Sequence, residues 1–431
     1  MKILYVAYHY APYNCMASVR SSKITKYLKR FGHDVHVLTA TNQLLPSTLD
    51  VEISKDKITY SDWYNINKPF EIIAGGKRKV ALQRSYLSER QRKSAIIKSI
   101  KNVYKTLFYF PDDKIGWIYK ALKEVESLFK EWEPDIMYVS SGPFSGFILG
   151  NIIHKKYKIP WIAEYRDLWT EGHYYNYCKL RKYIERKLEK YSVGTSSEII
   201  TVSEPLANKL SKIFSKNITV INNGFDSEDQ KFNRKPIFNR EKFHIVYTGS
   251  VYVDYYDLEP LINAIIKNKY INDNVKVHFF GPGIKRKIEY KYDLRSNNNI
   301  ENIFLYYGCV SHTQALNAQS SADLLLFLGW GDKNYLGILT GKLFEYLNAQ
   351  KKILSINIFK DSASSLILKN NLGYFCKNSE EVELLLMELI KNKKRGKVGL
   401  NSNINLFRYD YKIISREIEK TLIRVLNINN K

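Results

Sequence analysis

The sequence predicts an α/β protein of two Rossmann-like parallel-sheet domains facing a central cleft, with a C-terminal helix packing across the domains. Three observations carry that prediction. The 431 residues exceed what one ordinary hydrophobic core encloses, so two units of about 200 residues are expected. Short apolar runs alternate with amphipathic stretches, the pattern of strands covered by helices on both faces. The alternation runs twice, interrupted by a polar segment at 226–242.

The first pass opens with the strand Ile3–Ala7, the helix Ser22–Phe31 stopped by Gly32, and the strand Val35–Leu38, a βαβ unit. It continues through Asp135–Val139, Ser145–Tyr157, Pro160–Glu164, the charged stretch Lys179–Lys190, Glu198–Val202, Glu204–Ile213 and Ile218–Ile221. The second pass runs Phe243–Tyr247, Asp257–Lys267, Val275–Phe280, Ile303–Tyr306, Thr313–Ser320, Asp323–Leu328, Gly341–Ala349, Lys352–Ile356, Asp361–Lys369, Gly373–Cys376 and Glu380–Lys391. In Tyr411–Leu426, Ile413, Ile414, Ile418, Leu422 and Val425 fall at helical spacing. The implied domains are 1–225 and 243–408, with 226–242 as linker and 409–431 as a closing helix. Ligand is expected at the strand C-terminal ends, in the cleft between the domains.

Hydrophobic residues make up 45% of the chain, enough for both cores. A net charge of +24, from 67 basic and 43 acidic residues, implies an anionic partner: a membrane surface, nucleic acid or a phosphorylated substrate. A bland alternative is an AT-biased genome, which also enriches Lys, Asn, Ile and Tyr. Cys15, Cys178, Cys309 and Cys376 lie far apart, with neither metal-ligand spacing nor a dense disulfide pattern, which fits a reducing cytosol. The amino-terminal residues read as a strand rather than a signal segment, and no run approaches the roughly 20 apolar residues of a membrane span. The expected location is cytoplasmic, soluble or peripheral on the inner face of the plasma membrane.

The stretch Thr340-Gly-Lys-Leu-Phe-Glu-Tyr-Leu puts a carboxylate, Glu345, inside an apolar run. Gly341 permits close backbone approach, and the free N–H groups of a first helical turn form an anion site suited to a diphosphate. Lys342 would add a mobile positive charge there. Glu345, one turn in, can accept two hydrogen bonds from vicinal hydroxyls such as those of a ribose. Alternatively it serves the helix dipole or pairs with a nearby lysine.

This segment resembles the donor-nucleotide motif of glycosyltransferase family 4, retaining enzymes of the GT-B fold that include bacterial surface-polysaccharide transferases. Further pieces occur in the family's order: Ile3-Leu-Tyr-Val with Gly32-His-Asp-Val-His-Val37, Pro160-Trp-Ile-Ala-Glu-Tyr-Arg-Asp-Leu-Trp169, Val220-Ile-Asn-Asn-Gly-Phe-Asp226 and Val246-Tyr-Thr-Gly-Ser250. The resemblance spans nearly the whole chain and implies an acceptor-binding first domain and a nucleotide-sugar-binding second domain. It makes Glu345 the ribose ligand and places Gly341, Lys342 and Leu343 at the diphosphate, near the Gly249-Ser250 turn. Arg166 stands where many members carry a histidine beside the transferred sugar. Arg166 could bind a phosphate or the acceptor, and Asp167 could orient an acceptor hydroxyl or take its proton. Alternatively the two residues form an ion pair that stiffens their loop.

The chain departs from the family pattern in three places. The first of two acidic residues usually spaced eight apart is Gly337, so Asp332, Asn334 or backbone groups are expected to meet the donor sugar. The Gly249 turn lacks the usual Arg and Lys, leaving Lys285, Arg286, Lys333 or Lys342 to neutralise the diphosphate. The first loop lacks the common glycine pair, though Ala17 and Ser18 can open a helix at the cleft, with Ser18 as its cap.

No Asp-x-Asp occurs, so a metal-carboxylate clamp is not expected, and the helix terminus with basic side chains takes over the leaving group. No cofactor is expected beyond the donor, a nucleoside-diphosphate sugar for which UDP is favoured and GDP is the alternative. Between Lys77 and Lys105 stand ten Lys or Arg against the single acid Glu89. The basic amphipathic region 77–110 either lies on an anionic membrane or packs its apolar face on the domain. Rival readings are a nucleotide-sugar 2-epimerase on the same fold and a basic nucleic-acid-binding protein. Against nucleic acid, the basic residues are not interleaved with the aromatics of any recognised binding module.

Overall fold

The computed structural model describes residues 1–43, 45–68, 103–106, 108–172, 175–229, 236–251, 256–292, 300–329, 339–396 and 406–429. It divides into two compact units, one of Met1–Asn222 with Tyr411–Lys431, the other of Asn223–Asp410. The sequence boundary of 225/226 thus falls three residues inside the second unit.

The first unit contains β1 (Lys2–Ala7), α1 (Met16–Arg30), β2 (Asp34–Ala40), β3 (Ile58–Ser61), α2 (Trp117–Leu128), β4 (Ile136–Ser141), α3 (Ser145–Tyr157), β5 (Trp161–Tyr165), α4 (Lys179–Val193), β6 (Glu198–Thr201), α5 (Glu204–Leu210) and β7 (Ile218–Val220). The sheet is parallel, in the order β3-β2-β1-β4-β5-β6-β7. Strands β1 and β4 are buried along nearly their whole length because side chains of both parities meet helices. One face packs Leu4, Val6, Met137 and Val139 with Trp117, Phe147 and Trp161; the other packs Ile3, Tyr5, Ile136 and Tyr138 with α1.

Helix α1 starts at Met16, earlier than the sequence pattern suggested. Every residue from Ser18 to Leu28 is buried, so the helix has no solvent face to generate an amphipathic signal. Its charges are internally satisfied. Arg20 donates to Glu164 Oε1 through Nε at 2.9 Å and Nη2 at 2.8 Å, and to the carbonyl of Asn222 at 2.7 Å. Lys23 and Lys26 pair with Glu52 at 2.5 and 2.8 Å. Tyr138 also donates to Glu164, at 2.7 Å, and the surrounding cation and donors hold this buried carboxyl below its usual range despite desolvation.

The second unit contains β8 (Phe243–Thr248), α6 (Glu259–Lys267), α7 (Lys269–Asn274), β9 (Val275–Phe280), α8 (Ile284–Lys291), β10 (Phe304–Gly308), α9 (His312–Ser321), β11 (Leu324–Leu328), α10 (Gly341–Asn348), β12 (Ile353–Ile356), α11 (Ser362–Lys369), β13 (Gly373–Cys376) and α12 (Ser379–Lys394). Its parallel sheet has the order β10-β9-β8-β11-β12-β13. Strand order reverses between β1 and β4 in the first sheet and between β8 and β11 in the second, the crevice positions where such sheets bind ligands.

Both ends of the 226–242 segment are packed on the second unit. Phe225 lies in that core, Asp226 O accepts from Asn348 Nδ2 at 3.1 Å, and Phe238 stacks on His244. The closing helix α13 (Tyr411–Asn429) joins the first unit through Tyr411, Ile414, Ile418, Leu422 and Val425, which share a core with α1. His33 and Glu419, 2.7 Å apart, add a polar tie.

Candidate functional site

The second unit's switch point is built on β8, α9 and α10. Strand β8 ends at Thr248, and Gly249 turns with φ +103°, a conformation glycine adopts without strain. A Cβ at Gly249 would lie 3.1 Å from Lys342 Cε and 3.4 Å from its Nζ. The glycine is thus required both by its backbone and by the lysine lying against it. Ser250, the next residue, accepts from Tyr247 Oη through its carbonyl at 2.7 Å, which closes the turn.

Helix α10 begins after Thr340, whose extended backbone caps the helix while its hydroxyl makes no cap bond. The Thr340 Oγ1 atom is buried without a hydrogen-bond partner. The N–H groups of Gly341 and Lys342 belong to a first turn that offers them no intrahelical acceptor. Leu343 and Phe344 bury the opposite side, and Tyr346 Oη accepts from Thr248 N at 3.0 Å, locking the helix to β8. Gly341 and Leu343 therefore shape the helix entrance through backbone and packing.

The Lys342 ammonium lies 3.7 Å from the Tyr247 ring centroid. Burial lowers its pKa to about 7, with Glu345 opposing the shift. Lys342 and Glu345 form no ion pair within 4 Å, so among the described residues the lysine-pair reading of Glu345 has no contact behind it. Instead Glu345 Oε1 lies 3.0 Å from His312 Nε2, and Oε2 accepts from Gln319 Nε2 at 3.3 Å. Desolvation opposes ionisation of Glu345, but the His312 and Gln319 hydrogen bonds and Lys342 carry its pKa below the usual value. Each carboxylate oxygen keeps a lone pair for a further donor.

Neither Gln319 nor His312 carries a local sequence signal that ties it to Glu345. They are seven residues apart on α9, two helical turns, so both reach the same carboxylate. Ser311 fixes the start of α9 by a capping box with Gln314. Gln319 Nε2 also donates to Thr248 Oγ1 at 3.0 Å, joining the carboxylate cluster to the Gly249 turn. A carboxylate preceding a sheltered strand by one helix, facing a polar helix position, is the signal that could have found this pair.

Lys285 is elsewhere engaged, with Glu301 at 3.2 Å and Glu289 at 3.6 Å, on an exposed face of α8. Asp332, Asn334, Lys333 and Gly337 lie outside the described residues, as do the Arg286 side chain and most of 77–110.

In the first unit, Arg166 follows β5 and donates through Nη2 to Gly142 O at 2.6 Å and through Nε to Ser141 O at 3.4 Å. It thus braces the turn after β4. Asp167 is exposed, and no ion pair joins it to Arg166, so the alternative reading of a loop-stiffening pair has no contact behind it and the loop is braced through carbonyls. His9, beyond β1, donates through Nδ1 to Gln43 Oε1 at 2.7 Å, the Gln43 amide being oriented by Nε2 bonds to the Tyr8 and Ala40 carbonyls. Burial foremost, then the Arg166 charge, lowers its pKa to about 4. His9 was missed because a lone histidine between two tyrosines carries no spacing signal.

The loop helix begins at Met16 with Cys15 as its cap residue, correcting the assignment of that role to Ser18. Ser18 lies inside the first turn, and its Oγ is 3.3 Å from Cys15 Sγ; Ala17 lies beside it in the same turn. An extended Cys15 followed by continuous helical geometry sets this start, which the side-chain preference for serine caps obscured. Within either unit, no three metal-ligating side chains converge among the described residues.

Two sheets with order reversal at a shared type of switch point define a GT-B protein. The Glycosyltransferase Family 4 model matches residues 80–229, so the resemblance to that family holds over this part of the first unit and the first seven residues of the second. No curated protein matches the chain. Among solved structures, sucrose-phosphate synthase from Thermosynechococcus elongatus is 9% identical, with TM-score 0.64 and coverage of 99% of this chain and 100% of that one. Anabaena HepE in complex with UDP-glucose is 12% identical, with TM-score 0.61 and coverage of 98% and 100%. The UDP-GlcNAc 2-epimerase from Methanocaldococcus jannaschii is 14% identical, with TM-score 0.52 and coverage of 98% and 100%.

Proposed function

We propose that the chain is a retaining, hexosyl-transferring and metal-independent glycosyltransferase. It moves a sugar from a nucleoside-diphosphate sugar, UDP in preference to GDP, to a hydroxyl of a glycan or lipid-linked oligosaccharide. The setting is surface-polysaccharide synthesis, on the cytoplasmic side of a membrane.

The observation that carries this reading is the cluster Gly249, Lys342, Glu345, His312 and Gln319 at the second unit's switch point. The diphosphate sits on the first turn of α10, where Gly341 and Lys342 N–H groups and the Thr340 hydroxyl are its donors. Lys342 becomes fully charged as the anion arrives, and so stabilises the leaving group as its bond to the anomeric carbon breaks. Glu345, steadied on both oxygens, accepts from the ribose hydroxyls. Support for a nucleotide-sugar donor also comes from the HepE structure, which holds UDP-glucose. At the first unit, Arg166 binds the acceptor and Asp167 receives the proton that its hydroxyl releases as the new glycosidic bond forms.

A thermal-shift panel of UDP, GDP, ADP and CMP on the wild type, Glu345→Ala and Glu345→Gln tests the reading. Ligand at a hundred times its Kd should stabilise the wild type by about 2.7 kcal/mol. UDP should raise the midpoint, and both variants should lose most of the rise. A panel without any shift would overturn the donor site. The 2-epimerase reading is favoured by one of the matching structures, and formation of an epimeric nucleotide sugar without acceptor would select it.

A further inference from the structure

Helix α4 is turned inside out. Amphipathic helices on a globular surface bury their apolar stripe and expose their charges. Here the buried side is mostly polar, Arg181, Glu185, Glu189 and Ser192 with Val193 at the helix end, whereas Leu180, Tyr183, Ile184 and Tyr191 are 69%, 59%, 47% and 61% exposed. Those four positions are separated by three, one and seven residues, and so form one helical face.

The buried charges explain how the helix remains docked. Arg181 Nε pairs with Glu185 Oε1 at 2.6 Å, while its Nη1 donates to the carbonyls of Lys105 and Thr106 at 2.9 and 2.7 Å. Glu185 Oε2 accepts from Trp169 Nε1 at 3.0 Å, and Glu189 Oε1 accepts from Tyr165 Oη at 3.0 Å. The polar face is consumed in holding the helix to its own unit. Val193 and the partly buried Leu188 add apolar contacts to the core, and the exposed stripe Leu180, Tyr183, Ile184 and Tyr191 lies outside that attachment.

Lysines border the exposed stripe. Lys179, Lys187 and Lys190 are exposed on α4 itself. Lys187 Nζ stands 4.6 Å from the Tyr183 ring centroid, and Lys155 Nζ of α3 stands 3.8 Å from that of Tyr191. Tyrosine rings with lysine ammonium groups over them suit the boundary between acyl chains and headgroups, where aromatic rings reside and lysine stems reach towards phosphate.

We infer that the exposed Leu180–Tyr183–Ile184–Tyr191 face of α4, with its lysine border, docks on an anionic lipid surface. The charge of that border is complementary to acidic headgroups, and each nearby lysine strengthens attachment. Four side chains fall well short of the roughly 800 Å² that each partner contributes to a stable protein interface, which disfavours a second copy as occupant. The inference is independent of the transferase reading.

Co-flotation of the full chain with vesicles tests it, using phosphatidylcholine alone and phosphatidylcholine mixed with phosphatidylglycerol. One variant is Leu180→Ser/Tyr183→Ser/Ile184→Ser; the other is Lys179→Gln/Lys187→Gln/Lys190→Gln. All six side chains are exposed, and unchanged circular dichroism and unfolding midpoint confirm that both variants fold. Wild type should bind only the anionic vesicles, more weakly at high salt. The lysine variant should lose on the order of a hundredfold in partitioning, and the serine variant should lose binding as well. The inference is overturned if wild type ignores anionic vesicles. It is equally overturned if either variant binds as wild type does, or if sedimentation shows that the serine variant instead abolishes a dimer.

Discussion

Lys342 makes the stability of the second unit depend on pH in an unusual direction. Its folded pKa of about 7 lies below the ordinary lysine value because the ammonium is removed from water, with only partial compensation from Glu345. Between about pH 7 and pH 10 the unfolded chain therefore binds more protons at this residue than the folded chain, and stability contributed by the site rises with pH. The slope approaches about 1.4 kcal/mol per pH unit where the unfolded lysine is charged and the folded one neutral. Replacing Lys342 with Met keeps an unbranched side chain over Tyr247 and removes the titration. Urea unfolding of both proteins from about pH 7 to 9 isolates the effect as a difference, because other titrating groups are common to both. The variant should be the more stable at the lower pH, its advantage shrinking by up to about 1.4 kcal/mol per unit as pH rises. A difference that is flat across this range would refute the argument that the ammonium pays for its burial. Nucleotide binding should reverse the lowered pKa, so calorimetry at about pH 8 in buffers of different ionisation enthalpy should show uptake of about 0.9 proton. Lys342→Met should abolish that uptake.

Gly249→Ala combines a left-handed backbone with a Cβ 3.1 Å from Lys342 Cε, so a stability loss of about 1–3 kcal/mol should accompany a weakened UDP thermal shift. Arg166→Gln removes a cationic influence on His9, whose pKa of about 4 should rise in an imidazole NMR titration, while burial keeps it below the ordinary histidine value. An unchanged His9 titration would separate Arg166 from the electrostatics of the first switch point.

The two-sheet architecture was legible because strands such as Ile3–Ala7 and Phe243–Tyr247 are continuous apolar runs, which parallel sheets covered on both sides require. Helix α13 was legible from its isoleucine and leucine spacing, but its attachment to the first unit was not. That depends on a long-range fit to α1. The start of α1 escaped detection because a fully buried helix loses its period. At the candidate site, Gly341, Lys342 and Glu345 stood in one local segment. The partners that orient Glu345 come from α9, some thirty residues earlier in the sequence; α9 leads into β11 and α10 follows it, and their meeting at Glu345 is a tertiary contact that no local pattern announces. The Lys285 assignment drew on charge alone, without the competing claims of Glu289 and Glu301.

The second unit is a continuous segment, Asn223–Asp410, set within a first unit whose chain resumes at Tyr411. Its two ends meet: Phe225 N donates to Tyr409 O at 2.9 Å, and Phe225 pairs in parallel with Asp410. The segment is therefore a cassette with adjoining termini. Its gene segment can be cut out or transplanted whole, or its ends linked and reopened elsewhere, without any strand of its sheet being divided. The first unit, by contrast, needs both sides of the insertion: removing everything after Asn222 would strip α1 of the helix that completes its core.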